Sequence, residues 1–302
     1  MNTPLNERSM WPNDFGNWQR WPGADGTLNL LSFERVVAAA RLVRTGQAFS
    51  CARPLTALPR PPEAEQEFAH RMTSVGEFRE GRHAAMDRVE LDLHSIVNTH
   101  LDALSHVGHR GSGFNGIPFD EMVDADGASF ASIDVMPPIV GRAVLVDVAR
   151  MRGVPYIEPG DYVRPEELEV VAQQLGTGDI LLVRTGRWQA PRRLPGDEGA
   201  SGEPLGDWPG LHVDCMQFVA DHDVSLLGTD STTDTFPSPT PRALSIHMLA
   251  EVYLGLPLLH SMDLDAVAEA CATQQRNDFL FCVAPLKITG GTGSPVAPIC
   301  IL

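Results

Sequence analysis

The sequence predicts an α/β protein with a central mixed sheet. Several short apolar runs are bounded by glycine, aspartate or proline, as buried strands usually are. Segments with helical spacing of apolar residues lie between some of these runs. Hydrophobic residues make up 43% and charged residues 21% of the 302 residues, which is typical of a globular protein. Because no internal repeat or long low-complexity tract divides the chain, we expect a single domain over residues 1–302.

The first predicted elements are one helix and two strands. Ser32 can cap a helix over about Phe33–Thr45, in which apolar residues recur at helical spacing. Gln47–Arg53 is then typical of a strand. Between Arg88 and Val97, apolar and polar residues alternate strictly, which predicts a half-buried strand with one polar face.

Strands and helices follow one another through the rest of the chain. The four apolar runs predicted as buried strands are Ala143–Val148, Asp179–Thr185, Val224–Gly228 and Asp278–Ala284. The predicted helices are Pro165–Leu175, Val213–Asp221, Ile246–Leu254 and Leu264–Thr273. Two turn-rich stretches predict surface loops, Pro59–Glu67 and Pro195–Gly210. Gly290–Gly293 lacks the fingerprint of a phosphate-binding loop and predicts a hairpin turn.

Charge and composition exclude several classes of function. The net charge of -16 produces a surface that repels phosphate backbones and anionic headgroups, so we expect neither a nucleic acid nor a membrane as partner. The first residues lack the regions of a signal peptide, and no apolar run is long enough to cross a bilayer, which predicts a cytoplasmic protein. The five cysteines are scattered without a CxxC pair, which favours reduced core residues over a metal-binding or catalytic role.

Histidines are concentrated in one short segment. A window of 16 residues contains Asp102 and four of the ten histidines, which are His94, His100, His106 and His109. Residues two apart in a strand point to the same side about 6.6 Å apart, so His100 and Asp102 can bind one ion. Imidazole and carboxylate ligands without cysteine suit zinc, manganese or iron in a catalytic site. His94 can join them only if the chain bends near Asn98. The alternative is a row of hydrogen-bonded histidines along a polar strand edge.

The same segment carries a resemblance to a known family. Residues 98–106 read Asn-Thr-His-Leu-Asp-Ala-Leu-Ser-His, which resembles the THxDxxxH part of the HxGTHxDxxxH signature of the cyclase superfamily. That superfamily includes bacterial kynurenine formamidase and isatin hydrolase. Further likeness lies, in the same order as in the family, in Asn17–Trp21, Gly26–Asn29, Leu227–Asp230 and Gly290–Val296. The resemblance implies a swivelling β/β/α fold, a homo-oligomer and a small-molecule substrate.

The resemblance also implies metal ligands. His100 and Asp102 would be ligands, and His106 would be the general acid and base. The family's first ligand position falls on Ile96, which cannot bind a metal. Either His94 replaces that ligand through a local bend, or one metal of a pair is absent.

A later pair of segments resembles the remaining ligands of the family. In Ser245–Leu249 the family's histidine falls on His247, and in Pro257–Ser261 His260 stands where the family has an acidic residue. An imidazole in place of a bridging carboxylate removes negative charge between two ions, which favours a mononuclear centre. We therefore expect His100, Asp102 and His247 to bind one divalent ion, zinc or manganese, with His260 as a further candidate ligand. The alternative for both later histidines is an ordinary polar contact.

Aromatic residues crowd an N-terminal arm of about residues 1–30. In the family an aromatic side chain from this region borders the substrate, which implies that Trp18 or Trp21, with Phe15 beside them, contacts a planar substrate ring. The alternative is that these side chains anchor the arm to the body or to a neighbouring subunit. Asp230 follows a predicted strand, where α/β proteins tend to place binding groups, although it can equally cap the turn.

The expected function is that of a metal-dependent hydrolase. A divalent ion lowers the pKa of a bound water toward about 7 and polarises a carbonyl group, and His106 could carry the proton. The expected substrate is a small amide, lactam or ester with an aromatic ring. Two alternatives stay open, a metal-dependent cyclase or dehydratase and a catalytically inactive ligand-binding homologue. The sequence has neither a GxSxG nucleophile elbow nor an HExxH motif.

Overall fold

Nine strands form one mixed sheet at the centre of the protein. The computed structural model describes residues 15–55, 68–191, 207–241 and 243–302. The strands of the large sheet are β1 (Ala48–Ser50), β4 (His100–Asp102), β7 (Ile139–Asp147), β9 (Ile180–Arg184), β11 (Leu226–Thr229), β12 (Leu258–His260), β13 (Asp278–Val283), β14 (Gly293–Pro295) and β15 (Ile299–Ile301). Three two-stranded sheets contain β2 (Phe68–Arg79) with β3 (Arg82–Leu91), β5 (Val123–Asp124) with β6 (Gly127–Ala128), and β8 (Tyr162–Val163) with β10 (Gly210–Leu211).

The large sheet has a parallel centre and antiparallel edges. Its strand order is β1-β15-β13-β7-β9-β11-β12-β4-β14. Strands β7, β9, β11 and β12 pair in parallel, whereas the strands on either side of them pair antiparallel. The five residues of β9 are all buried, because apolar layers cover both faces of the parallel strands. The predicted α/β class with a central mixed sheet is confirmed.

Helices cover the two faces of this sheet. The α-helices are α1 (Phe33–Ala40), α2 (Phe119–Met122), α3 (Val148–Met151), α4 (Pro165–Leu168), α5 (Cys215–Asp221), α6 (Ser245–His247) and α7 (Asp265–Thr273). A π-helix, Met248–Leu254, continues α6. The 3₁₀-helices are Gly26–Leu30, Phe114–Gly116, Glu169–Val171 and Arg187–Gln189. Within the described ranges, no helix combines the length and the apolar composition needed to cross a bilayer.

Two large apolar clusters cover the two faces of the sheet, and a third, smaller cluster contains Phe114 and Met122. Along β7, Leu145 belongs to one cluster while Val144 and Val146 belong to the other. Helix α7 packs in the first cluster through Val267, and α5 packs in the second. The four predicted buried strands all lie in the sheet, and the predicted helices all begin within two residues of an observed one. Helix α1 ends at Ala40 and α4 at Leu168, both earlier than the sequence predicts.

Two sequence predictions need correction. The half-buried strand over Arg88–Val97 is wrong, because β3 ends at Leu91 and is exposed on both faces. Strict alternation identified a strand but not the surface that would cover it. The hairpin turn at Gly290–Gly293 is also wrong, because the turn at 289–290 joins β13 to β14, which are not neighbours in the sheet. Predicted loop 59–67 and most of predicted loop 195–210 lie outside the described residues.

Candidate metal centre

Strand β4 supplies the central residues of the candidate site. His100 and Asp102 lie two residues apart on this strand and therefore project from the same face. Strand β12 pairs with β4 and places His260 directly opposite His100. All three side chains are buried. The pairing of two short strands thus brings three ionisable groups together inside the protein.

Three further histidines approach Asp102 from other segments. His106 follows β4 in a turn, and His247 ends α6. His94 is turned back toward the cluster by a turn and bends over residues 93–98. Its ring stacks on that of His106, with ring centroids 3.5 Å apart and 7° between the planes. The local bend that His94 needs in order to join the cluster is therefore present.

The two carboxylate oxygens of Asp102 face different histidines. Oδ1 lies 2.8 Å from His94 Nδ1 and 3.6 Å from His100 Nε2. Oδ2 lies 2.7 Å from His260 Nε2 and 3.7 Å from His247 Nε2. Among the described residues, neither Asp102 Oδ2 nor His260 Nε2 has a hydrogen-bond partner of acceptable geometry. Buried polar atoms that lie this close without bonding are suited to bind one cation, so the donor set fits a divalent metal.

Second partners hold two of the imidazoles in place. His100 Nδ1 lies 2.8 Å from the carbonyl oxygen of Asn98. His247 Nδ1 lies 2.5 Å from Asp234 Oδ2. In both rings Nε2 then points toward Asp102. A metal-binding histidine is usually oriented in this way by a carboxylate or a carbonyl on its other nitrogen.

Burial and neighbouring charges set the protonation of the cluster. Burial lowers the pKa of His100 to about 4 and the pKa of His106 to about 3. Burial also opposes the charged form of His247, but the hydrogen bond and the charge of Asp234 raise the pKa of His247 above its usual value. Burial opposes ionisation of Asp102 as well, yet the neighbouring histidines hold the pKa of Asp102 well below its usual range. An ionised Asp102 beside neutral His100 and His106 is the protonation state that binds a metal, whereas a protonated His247 would lose its proton on binding one.

Two acidic residues of the site were missed at the sequence level. Asp234 also accepts hydrogen bonds from the backbone N–H groups of Ile246 and His247. Glu251 lies in the π-helix and is fully buried, and its Oε2 accepts a hydrogen bond from the backbone N–H of Val107. Burial and the charge of Asp102 raise the pKa of Glu251 well above its usual value. The only sequence signal for Glu251 is a single acid within an apolar helical run.

A cavity of about 190 Å³ opens beside the cluster. All five residues proposed as ligands and His106 line it, together with an apolar and aromatic wall. Trp208 and Phe236 stack in this wall with ring centroids 4.8 Å apart. The sequence assigned no role to Trp208, because its contact with Phe236 joins residues 28 positions apart across a loop. The cavity has the mixed polar and apolar lining of a small-molecule site.

The described part of the N-terminal aromatic arm does not line the cavity beside the histidine cluster. Trp18 stacks on Tyr253 with centroids 5.6 Å apart, and its Nε1 donates a hydrogen bond to the carbonyl oxygen of Val252. Arg20 lies over the ring of Trp21, and Phe15 packs on the apolar cluster that contains α5. None of the three predicted aromatic residues is among those that line the metal-site cavity in the described chain. The structure therefore favours the alternative in which they anchor the arm.

The carboxylate of Asp230 is bonded to the residues that follow β9. Its carboxylate is fully buried and accepts hydrogen bonds from the backbone N–H groups of Thr185 and Gly186 and from the Thr185 hydroxyl. These contacts tie the end of β11 to the residues after β9. Asp230 is not among the described residues that line the cavity, so its contacts match the turn-capping alternative.

A family model and several solved structures are similar to this chain. The model of the family described as "Putative cyclase" matches residues 13–234. The crystal structure of a novel cyclase is 29% identical over 95% of this chain and 98% of its own, with a TM-score of 0.83. Isatin hydrolase A from Labrenzia aggregata, bound to benzyl benzoate, is 20% identical over 88% of this chain and 97% of its own, with a TM-score of 0.58. An isatin hydrolase bound to the product analogue thioisatinate is 17% identical over 90% of this chain and 99% of its own, with a TM-score of 0.60.

The comparisons differ in what they can show. No curated protein matches the chain. The isatin hydrolases are similar in fold, whereas the family model covers most of the sequence. The match includes β4 with His100 and Asp102 and ends at Asp234, before His247 and His260. The chain belongs to the cyclase family.

Proposed function

We propose that this protein is a metal-dependent hydrolase. The observation that carries the proposal is the convergence of five histidines on one fully buried aspartate, Asp102, at the wall of a cavity. A cluster of this kind costs free energy in an apolar interior unless a cation or a reaction uses it. The cyclase family and the isatin hydrolase fold support the same class of chemistry.

His100, Asp102 and His247 are the proposed core of the ligand set. The two histidines point Nε2 toward Asp102 because Asn98 and Asp234 occupy their Nδ1 atoms. His94 and His260 each face one oxygen of Asp102, and each can complete the set. These groups combine nitrogen and oxygen donors, which suits zinc or manganese.

The divalent ion, when bound, lowers the pKa of a coordinated water and polarises a substrate carbonyl. His106 is the proposed proton carrier. Burial favours the neutral form of His106, which is the form that can accept a proton from the attacking water. It can then return that proton to the leaving group. Asp234 holds the imidazole of His247, and Glu251 holds the backbone at Val107, next to His106.

The cavity wall indicates the substrate class. Trp208, Phe236 and Leu244 provide an apolar surface opposite the ligand cluster, and planar rings stack well on aromatic side chains. A cavity of about 190 Å³ holds a small molecule. We therefore propose a small aromatic amide, lactam or ester as substrate. The isatin hydrolase bound to thioisatinate supports this class, since its fold is shared.

A cyclase or dehydratase reaction is the second candidate. It is favoured by the crystal structure of a novel cyclase, which is 29% identical to this chain. The same ligand set and the same proton carrier would serve it. The two reactions differ in their products, because hydrolysis adds one water to the substrate whereas cyclisation or dehydration does not.

The test is a screen of aryl formamides, lactams and esters with products identified by mass spectrometry. We expect products that have gained one water. His106→Ala should reduce kcat by about a hundredfold or more, as expected for loss of a proton carrier. The matched control is His222→Ala, because His222 lies at the end of α5 and does not line the cavity. Products without added water, or a His106→Ala variant with unchanged kcat, would contradict the proposal.

A further inference from the structure

Leu244 has a backbone conformation and an exposure that are unfavourable for leucine. It immediately precedes α6, with a φ of 55° and a ψ of 33°, in the left-handed region. A large side chain costs free energy in this region because its Cβ crowds a neighbouring carbonyl oxygen, whereas glycine and asparagine adopt the conformation readily. The side chain of Leu244 is also 47% exposed, so much of its apolar surface stays in water. Local propensity therefore does not explain why leucine occupies this position.

The start of α6 does not require leucine either. The residue before the first helical turn is usually serine, threonine, aspartate, asparagine or glycine, because a short polar side chain can cap the helix. The side chain of Leu244 makes no capping hydrogen bond within the described chain. The carboxylate of Asp234 caps the helix instead, since it accepts hydrogen bonds from the backbone N–H groups of Ile246 and His247. Leu244 contributes only its carbonyl oxygen, which accepts a hydrogen bond from Met248 N–H and which any residue would supply.

The location of Leu244 gives a reason for its retention. Its side chain lines the cavity beside the histidine cluster, and Trp208 and Phe236 line the same cavity. His247, a proposed metal ligand, follows three residues later. Unfavourable backbone conformations are concentrated at functional sites, where a residue is kept for its contacts rather than for stability. A strained and exposed leucine at the wall of this cavity fits that pattern.

We propose that Leu244 is a specificity-determining residue whose side chain contacts the planar ring of the substrate. This inference rests on the proposed function, because it assigns a contact to the aromatic part of that substrate. A bound ring would remove the exposed apolar surface of Leu244 from water, which stabilises the complex. The free energy that is lost in the strained backbone is thus balanced only when the cavity is occupied.

The two aromatic residues of the cavity differ from Leu244 in their support. Trp208 and Phe236 stack on each other, and Trp208 Nε1 donates a hydrogen bond to the carbonyl oxygen of Asp234. Contacts within the protein therefore hold both rings in place. Leu244, in contrast, belongs to none of the three apolar clusters that the described residues form. Its substitution should change ligand binding with little effect on folding.

The test uses acetophenone, an aryl ketone with a planar ring and a carbonyl group but no bond that a hydrolase would cleave. Ligand-observed NMR measures its dissociation constant with the full chain as purified. Leu244→Asn should raise this constant about fivefold to tenfold, because one apolar contact is lost. The urea midpoint of unfolding should not fall, because asparagine tolerates the left-handed region and is a preferred residue before a helix.

The matched control is Gln275→Asn. Gln275 has a φ of 52°, is exposed after α7 and is not among the described residues that line the cavity. The control has the same backbone conformation as Leu244, so it tests the effect of asparagine in that conformation away from the cavity. It should bind acetophenone as tightly as the wild-type protein does.

Three outcomes would overturn the proposal. The wild-type protein could fail to bind acetophenone, Leu244→Asn could bind it as tightly as the wild-type protein, or Leu244→Asn could lower the urea midpoint clearly more than Gln275→Asn does. If Leu244→Asn fails to fold, Leu244→Gly takes its place, because glycine also tolerates the left-handed region, and it should weaken binding in the same direction. No bond of acetophenone is hydrolysed, so these results are separate from those of the hydrolase screen.

Discussion

Asp102 decides the chemistry of the centre because each of its oxygens faces histidine nitrogens. An ionised carboxylate with 0% exposure is stable only beside compensating positive charge. The neutral imidazoles of His100 and His106 do not supply that charge near pH 7, and His247, whose pKa is raised, is bonded to the carboxylate of Asp234. A bound divalent ion would therefore stabilise the ionised carboxylate of Asp102.

Asp234 orients the imidazole of His247, so its carboxylate should support metal binding. Asp234→Asn keeps an oxygen for the N–H of Ile246 but removes the carboxylate that orients His247. We expect the affinity for zinc to fall about tenfold to a hundredfold, as is usual when such a partner is lost. Competition against a chelator measures this change. Asp214→Asn is the control, because Asp214 contacts His212 outside the centre. If the wild-type protein and both variants bound zinc with equal affinity, Asp234 would not support a ligand.

The buried His106 predicts how stability depends on pH. Because its folded pKa of about 3 is below the usual value near 6.5, the unfolded chain takes up a proton first as the pH falls. Metal-free protein should therefore lose roughly 2 kcal/mol of unfolding free energy to this group between pH 6.5 and 5. Urea titrations of His106→Gln should show a correspondingly weaker loss. The exposed His83, changed to Gln, serves as the control, and an unaltered pH dependence in His106→Gln would refute the assignment.

At the scale of elements, short strands and turns place the histidines. Local pattern was sufficient to predict the parallel strands β7, β9 and β11 and the antiparallel strand β13, because all four are short apolar runs. It was also sufficient to place His100 and Asp102 on one face of a strand. Local pattern could not show that β12 lies beside β4 or that Asp234 approaches His247, since these contacts depend on how distant segments pack.

The backbone of the N-terminal arm lies very close to the backbone at Gly255. A Cβ on Gly26 would lie 1.9 Å from the carbonyl oxygen of Gly255, which also accepts a hydrogen bond from Thr27 N–H. Gly26→Ala should therefore lower the unfolding free energy by about 3 kcal/mol or more. Gly23 also has a positive φ but no atom within 4 Å of such a Cβ, so Gly23→Ala should cost only about 1 kcal/mol. If chemical denaturation showed equal losses of unfolding free energy for Gly26→Ala and Gly23→Ala, the close approach would be unimportant.

At the scale of the whole molecule, the sheet joins segments that are far apart in the chain. Strands β4, β12 and β14 are neighbours although they come from residues 100–102, 258–260 and 293–295. The sequence predicted the class of this architecture and, through its resemblance to the cyclase family, most of the histidine cluster. Trp18, which the resemblance places beside the substrate, packs on Tyr253, whereas Trp208 lines the cavity. Hydrophobic pattern identifies aromatic side chains but not the surfaces that they contact.

We propose that the histidine cluster binds a divalent metal. The most direct test is elemental analysis of the protein purified without a chelator or a histidine tag. We expect about one equivalent of zinc or manganese per chain, which His100→Ala and Asp102→Ala should abolish and His222→Ala should retain. A protein that contains no metal after incubation with either ion, or that keeps its metal in both ligand variants, would contradict the account.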